Sequence, residues 1–147
     1  MKKQRGFTVI EVMVALVVLC LMTFFFIVQR GDLEKASRDS QRKSAINAMY
    51  YVLTEDYYKD NGYYPRTISR KTLPAVDPKL FTDPDGYTLE DDKCVYTDKK
   101  DKQKFNGKCN YVYEAKDCSG DGKCQGFTLR TKLETEGEYK KSSPQKK

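Results

Sequence analysis

The chain has 147 residues, of which 33% are charged, and a formal net charge of +6. It contains no histidine, which excludes the commonest general base, the commonest zinc ligand and every Ser–His or Cys–His nucleophile pair. Lys2, Lys3 and Arg5 supply half of the net charge, and the remaining balance is typical of a solvated surface. We therefore expect no enzyme, no catalytic residue, no metal site and no cofactor.

An apolar run of 22 residues, from residue 7 to residue 28, follows this basic start. As a helix it would span about 33 Å, enough to cross a hydrocarbon core of about 30 Å. The run is longer than the core of a secretory signal, and its small residue, Gly6, precedes the run instead of following it. The basic residues should stay cytoplasmic. The sequence therefore predicts a membrane-spanning helix with the rest of the chain outside.

Glu11 places a carboxylate inside this apolar run. An isolated acid in a transmembrane helix costs about 2.5–3.5 kcal/mol on insertion scales. Such a cost predicts that the carboxylate has a partner or a function.

The start of the run resembles the class III signal of type IV pilins and their relatives: basic residues, then Gly6-Phe7-Thr8-Val9-Ile10-Glu11, then an unbroken apolar helix. The resemblance covers residues 2 to 28. It implies that a membrane-bound prepilin peptidase cuts between Gly6 and Phe7 and that Phe7 becomes the N-methylated terminus. It also implies that Glu11 of one subunit meets the Phe7 amine of its neighbour, which would fix one register of assembly. A contact between Phe7 and Glu11 within one helix is the alternative.

Many members of that family carry a glycine and a proline inside this helix, where it loosens in the filament. Here neither occurs in the run, and Cys20 and Val28 lie about where they would be expected. A continuous helix to Gly31 or beyond is at least as consistent with the sequence as a melted segment.

Apolar residues at spacings of three and four predict a helix over residues 32 to 60, with a stripe that packs against a sheet. The polar stretch 37–44 (SRDSQRKS) is interpreted as the inner surface of a filament or a bridge to the following domain. Asn61-Gly62 and Pro65 predict the end of the helix. The residues at these spacings are Leu33, Ala36, Ile46, Met49, Tyr50, Leu53 and Tyr57, and the stripe that packs against a sheet is predicted to run from Ile46 to Tyr57.

Proline and turn residues predict a connecting loop over residues 66 to 92, with a short helix near 78–81. Strands are predicted over 94–97, 110–115 and 126–133, with Phe127 and Leu129 on one face of the last. Residues 98–107 are predicted to form a charged hairpin tip, and residues 119–122 a tight turn. The polar tail, residues 137 to 147, is predicted to be disordered.

Four cysteines in the C-terminal half, behind a membrane segment, predict disulfides formed in an oxidising exterior. Three pairings are open, and sequential pairing costs the least chain entropy: Cys94 with Cys109, and Cys118 with Cys124. Reduced or metal-bound thiols are the alternative. A cysteine loop near the C-terminus also resembles the corresponding region of pilins, which is often closed by a disulfide.

The acidic residues of the loops do not have the spacing of an EF-hand calcium site. They are interpreted as turn formers on a solvated surface: Asp83, Asp85, Asp91, Asp92, Asp117 and Asp121. Tyrosines near lysines could stack on nucleic-acid bases, but in so charged a chain chance proximity explains them more simply. Weak DNA or surface binding stays an alternative.

The predicted fold is α+β: a long N-terminal helix, half apolar and half amphipathic, packed on a small antiparallel sheet with a disulfide-closed C-terminal region. The predicted division is a leader (residues 1–6), a transmembrane or filament-core helix (7–31), a globular head (32–136) that includes the amphipathic helix, and a flexible tail (137–147).

The resemblance implies a structural subunit of a type IV pilus, inserted in the cytoplasmic membrane as a precursor and then assembled on the bacterial surface. The implied partners are further copies of the chain, the prepilin peptidase, the assembly platform and its motor ATPases. Adhesion, twitching motility and DNA uptake are the implied roles. The alternatives are a type II secretion pseudopilin and a single-span membrane anchor that carries an extracellular binding domain.

Overall fold

A computed structural model describes residues 8–91, 93–97, 103–105 and 109–144, and the fold is α+β as predicted. Internal contacts divide the chain after Ala36 into an N-terminal helical unit and a globular unit that begins at Ser37. Each unit is described by itself below.

The N-terminal unit consists of the first part of helix α1, which runs from Val9 to Tyr51. Its large apolar side chains are exposed, and its most hydrophobic window has a mean hydropathy of 2.8. By length and composition this is the one helix of the described residues that can cross a membrane. Thr23 donates its hydroxyl to the Leu19 carbonyl at 2.8 Å, so the helix itself satisfies this polar group.

Helix α1 is continuous through Gly31, and the single chain has no melted segment between Val9 and Tyr51. A Cβ added at Gly31 would meet nothing within 4 Å, so neither close packing nor a positive φ requires glycine there. The free cysteine, Cys20, is exposed on this helix.

In the globular unit α1 buries Ile46 and Met49, as the stripe predicts, and it also buries Ala45, which was not predicted. A π-helical segment, Val52–Tyr57, and a short helix α2, Tyr58–Asn61, continue its course. Gly62 ends the helix with φ of +76°, and its N–H bonds to the Tyr58 carbonyl at 2.8 Å. The predicted helix over 32–60 is therefore present but contains a wider turn, around which the Thr54 hydroxyl donates to the Tyr50 carbonyl.

Two antiparallel sheets complete the globular unit. In the first, the central strand β6 pairs along β5, with β1 near its start and β7 near its end. In the second, β2 pairs with β3 and β3 with β4. The strands are β1 Tyr64–Pro65, β2 Tyr87–Glu90, β3 Lys93–Thr97, β4 Gln103–Phe105, β5 Tyr111–Cys118, β6 Lys123–Lys132 and β7 Glu138–Ser142.

The core lies between the helix and the first sheet, because Phe127 and Leu129 of β6 belong to the same buried cluster as Ile46 and Met49 of α1. The region expected to be a loop, 66–92, holds the expected short helix at Pro78–Phe81, which is a 3₁₀ turn, and also an unexpected strand, β2. The turn residues of the expected hairpin tip, 98–102 and 106–108, lie outside the described residues.

The prediction of a disordered tail from residue 137 was wrong for Glu138–Ser142, which forms strand β7. Gly137, with φ of +89°, turns the chain, and Leu133 donates its N–H to the Gly137 carbonyl. Tyr139 then donates its hydroxyl to Asn47 on α1 at 2.9 Å. The polar composition of the tail did not indicate strand β7, and the hydrogen bond of Tyr139 attaches this strand to α1.

Both disulfides are sequential pairs: Cys94 with Cys109, and Cys118 with Cys124. The first bridge connects β3 of the second sheet to the chain just before β5 of the first. The second joins residues directly opposite each other in the β5–β6 hairpin. The hairpin turn is already closed by hydrogen bonds, Ser119 N–H to the Lys123 carbonyl and Gly122 N–H to the Ser119 carbonyl.

Removing the Cys94–Cys109 bridge should lower the free energy of unfolding of the globular unit by about 3 kcal/mol, since it closes a loop with a sequence separation of 15. The Cys118–Cys124 bridge spans only 6 residues in a turn that hydrogen bonds also hold, so its removal should cost less. Each bridge contains one buried cysteine, Cys94 or Cys124, so each double alanine variant replaces one buried side chain. Urea unfolding of both, followed by tyrosine fluorescence, would test this; equal costs would contradict it.

Candidate functional site

The predicted N-terminal site is described from Thr8 onward, and Gly6 and Phe7 lie outside the described residues. Glu11 accepts hydrogen bonds from the backbone N–H and the hydroxyl of Thr8, at 2.9 and 3.0 Å. In return the Glu11 N–H donates to the Thr8 hydroxyl at 3.4 Å. This reciprocal arrangement is a capping box that begins helix α1.

The capping box gives the Glu11 carboxylate hydrogen-bond partners within a single chain. Its carboxylate lies on an apolar stretch of α1 beside Ile10, Val14 and Val18, yet it already has two donors from Thr8. These donors reduce the cost of holding a carboxylate there, but they bring no positive charge. Pairing of Glu11 with the Phe7 amine, within or between chains, stays a prediction.

A second site, which the sequence did not predict, is a network of charges around Arg42. The Arg42 side chain is 1% exposed and pairs with Asp83 through Nε at 2.8 Å and Nη2 at 3.3 Å. It also donates to Asp39 at 3.2 Å, to Asp85 at 2.9 Å and to Glu134 at 2.8 Å. One guanidinium therefore joins helix α1 to the loop around residue 83 and to the turn between β6 and β7.

Asp39 completes the attachment of the β6–β7 turn to α1. Its carboxylate accepts the backbone N–H groups of Glu134 and Thr135, both at 2.8 Å, and the Thr135 hydroxyl at 2.7 Å. Burial opposes ionisation of Asp39, but these bonds and the one from Arg42 outweigh it and hold its pKa well below the usual range. Arg38, at 2.7 Å, and Arg42 lower the pKa of Glu134 to about 2.

The network corrects one interpretation of the sequence, because Asp83 is buried rather than a turn former on a solvated surface. It also gives the polar stretch 37–44 two buried residues, Asp39 and Arg42. A signal was present: Arg42 precedes Ile46 by four residues, on the face that continues to Met49 and Leu53. A charged residue on an apolar stripe predicts a buried partner.

Acid should lower the stability of the globular unit, because it protonates the carboxylates of Asp39 and Glu134. Their folded pKa values lie below the unfolded values near 4, so their contribution is present above about pH 4 and is lost as the pH falls towards about 2. We expect the melting temperature to drop across this window, and to drop less in the double variant Asp39→Asn/Glu134→Gln, measured from pH 7 to pH 2.5. Identical pH profiles for the two proteins would contradict the assignment.

No group of three or more cysteine or acidic side chains in the described ranges is arranged to hold a metal ion. At the Arg42 network a guanidinium occupies the position between the carboxylates. The Arg42 network attaches helix α1 to the loop around residue 83 and to the β6–β7 turn.

Comparison with known proteins gives one match. Residues 1–26 match the family model described as the prokaryotic N-terminal methylation motif. Neither a search of curated proteins nor a search of solved structures returned a match. The matched residues hold the basic start, Gly6, Phe7, the Thr8–Glu11 capping box and most of the exposed apolar helix. Over these residues the chain carries the class III signal peptide of the type IV pilins.

Proposed function

We propose that this chain is a type IV pilin, a structural subunit that polymerises through its N-terminal helix into a surface filament. The observation that carries the proposal is the methylation motif at residues 1–26, joined to an apolar helix whose large side chains are exposed in the part of the chain that the structure describes. A helix with its apolar residues exposed on every side needs either lipid or other helices around it. Insertion into the membrane surrounds the helix with lipid, and bundling in the filament then surrounds it with other helices.

In this proposal the prepilin peptidase cuts between Gly6 and Phe7, and Phe7 is N-methylated. The new amine and Glu11 then pair between neighbouring subunits and set the register, while apolar packing supplies most of the affinity. An assembly platform and motor ATPases act on the inserted precursor. The globular unit coats the filament, and no catalytic step is assigned to it.

A pseudopilin of a type II secretion system is the second candidate, because the same motif serves pilins and pseudopilins. Two disulfides favour the pilin, since they protect a domain exposed outside the cell. A membrane anchor with an extracellular binding domain is the third candidate. It would not need Gly6 or Glu11 and would keep its first six residues.

Fractionation distinguishes these candidates. Cells that express the chain are sheared, and the chain is quantified in the released material and in the membranes with an antibody. A pilin should appear in both fractions. A chain found only in membranes would contradict the pilus and favour a pseudopilin or an anchor, which differ in whether residues 1–6 are removed.

A further inference from the structure

The two disulfide bridges of the globular unit differ in how well solvent reaches them. Cys118 ends strand β5 and is exposed, whereas its partner Cys124 is fully buried. In the other bridge Cys94 is buried and Cys109 is half-buried. A thiolate opens a disulfide by attacking one of its sulfurs, so access to a sulfur controls the rate. Of the four bridged cysteines, Cys118 is therefore the one that a thiolate from solution reaches most readily.

The β5–β6 hairpin has contacts of its own that keep it closed without the bridge. Ser119 donates its N–H to the Lys123 carbonyl at 2.9 Å, and Gly122 donates its N–H to the Ser119 carbonyl at 3.0 Å. Paired residues continue along both strands as far as Tyr111 and Thr131. We therefore expect the turn and the strand pairing to remain when the bridge is opened.

The buried half of this bridge can be accommodated as a free thiol. Cys124 belongs to the hydrophobic core cluster, and a free cysteine packs as a small apolar side chain. Its Sγ lies 3.8 Å from the Gly122 carbonyl oxygen, which can accept a hydrogen bond from an S–H group. The thiol released by opening the bridge would therefore have both apolar neighbours and an acceptor.

The backbone beside Cys118 also favours the open form. Asp117 has a φ of +51°, in the left-handed region that residues other than glycine seldom occupy. Because the bridge ties Cys118 to β6, it restrains the chain at Asp117. Opening the bridge allows Asp117 to relax, and strain of this kind makes a disulfide easier to reduce.

The Cys94–Cys109 bridge differs in what its opening would disturb. It connects the second sheet to the chain just before β5 of the first sheet, and its sequence separation is 15, against 6 for the other bridge. Opening it therefore releases more chain entropy and loosens the attachment between the two sheets. We expect this bridge to resist thiols as long as the globular unit stays folded.

We propose that Cys118 is a thiol-exchange site, at which a low-molecular-weight thiol opens the Cys118–Cys124 bridge while the globular unit stays folded. The thiolate attacks Sγ of Cys118, a mixed disulfide forms there, and the bond to Cys124 breaks. Cys124 leaves as a thiolate and takes up the proton that the attacking thiol lost. A second thiol molecule then attacks the mixed disulfide, so the bridge is reduced to two thiols and the two small thiols are oxidised to one disulfide. This site does not depend on the filament proposed above.

Mass spectrometry of the full-length chain tests the site. A Cys20→Ala background removes the free thiol, and the purified protein in detergent is incubated with reduced glutathione, quenched with acid and digested. We expect glutathione on Cys118 and a free thiol on Cys124, with Cys94 and Cys109 still joined. In dithiothreitol the Cys118–Cys124 bridge should open at least about tenfold faster than the other bridge, with an unchanged far-ultraviolet circular dichroism spectrum.

The variant Cys118→Ala/Cys124→Ala in the same background is the matched control and should carry no glutathione. Equal opening rates for the two bridges, glutathione on Cys94 or Cys109 in place of Cys118, or no adduct on the parent would each overturn the inference. Loss of the folded spectrum together with opening of the first bridge would overturn it as well, because exchange would then follow unfolding.

Discussion

Replacing Arg42 by leucine should destabilise the globular unit by about 3–5 kcal/mol, because it leaves the buried Asp83 carboxylate without its positive partner. A domain of this size has roughly 5–15 kcal/mol of total stability, so a large part would be lost. The effect should appear as a lower urea midpoint with an unchanged m-value. Leucine has no donor, and the loop around residue 83 and the β6–β7 turn would both lose their attachment to α1.

Arg38→Leu is the matched control, since Arg38 lies one helical turn away and also pairs with Glu134. Its side chain is 33% exposed, against 1% for Arg42, so water screens the pair and replaces it after mutation. The cost of Arg38→Leu should be several-fold smaller. Equal costs for the two variants would show that Arg42 contributes as a surface charge and not as a buried connector.

Glu11→Val should abolish filament assembly while membrane insertion and cleavage after Gly6 continue. A valine makes the segment more hydrophobic, so insertion becomes easier. The positive amine of Phe7 would then lack its partner in an apolar environment, and helices could slide past one another without a preferred register. The amount of processed chain in membranes and in sheared material measures both effects, with Glu34→Val as a control for loss of an exposed carboxylate on the same helix.

Glu11→Gln separates the two roles that the geometry gives to this side chain. Glutamine can keep the capping box with Thr8, because its carbonyl accepts the same hydrogen bonds, but it has no charge. If charge pairing sets the register, filaments of the Glu11→Gln variant should be as scarce as those of the valine variant. Normal filaments from Glu11→Gln would assign Glu11 to helix capping and contradict the intersubunit pairing.

The sequence predicted the elements whose pattern is local. The apolar run of α1, the stripe at Ile46 and Met49, and the stop at Gly62 follow from helical spacing and capping preferences. Strand β6 follows from the alternation of apolar and polar residues in the sequence around Phe127 and Leu129. These patterns need only neighbouring residues to be recognised.

The elements that it did not predict depend on distant partners. Strand β7 exists because β6 pairs with it and Asn47 accepts the Tyr139 hydroxyl, and neither partner is visible from the composition of the tail. The Arg42 network joins residues more than forty positions apart, and although the spacing of Arg42 from Ile46 indicates that Arg42 is buried, it does not identify the partners. Long-range pairing of this kind leaves no periodic signal.

The mass of the intact chain in material sheared from cells tests the central claim most directly, measured with and without reduction. We expect a polypeptide that begins at N-methylated Phe7 and is lighter, before reduction, by the four hydrogens of two disulfides. A chain that still begins at Met1 would contradict it, because the cleavage and the new amine that Glu11 is proposed to meet would both be absent.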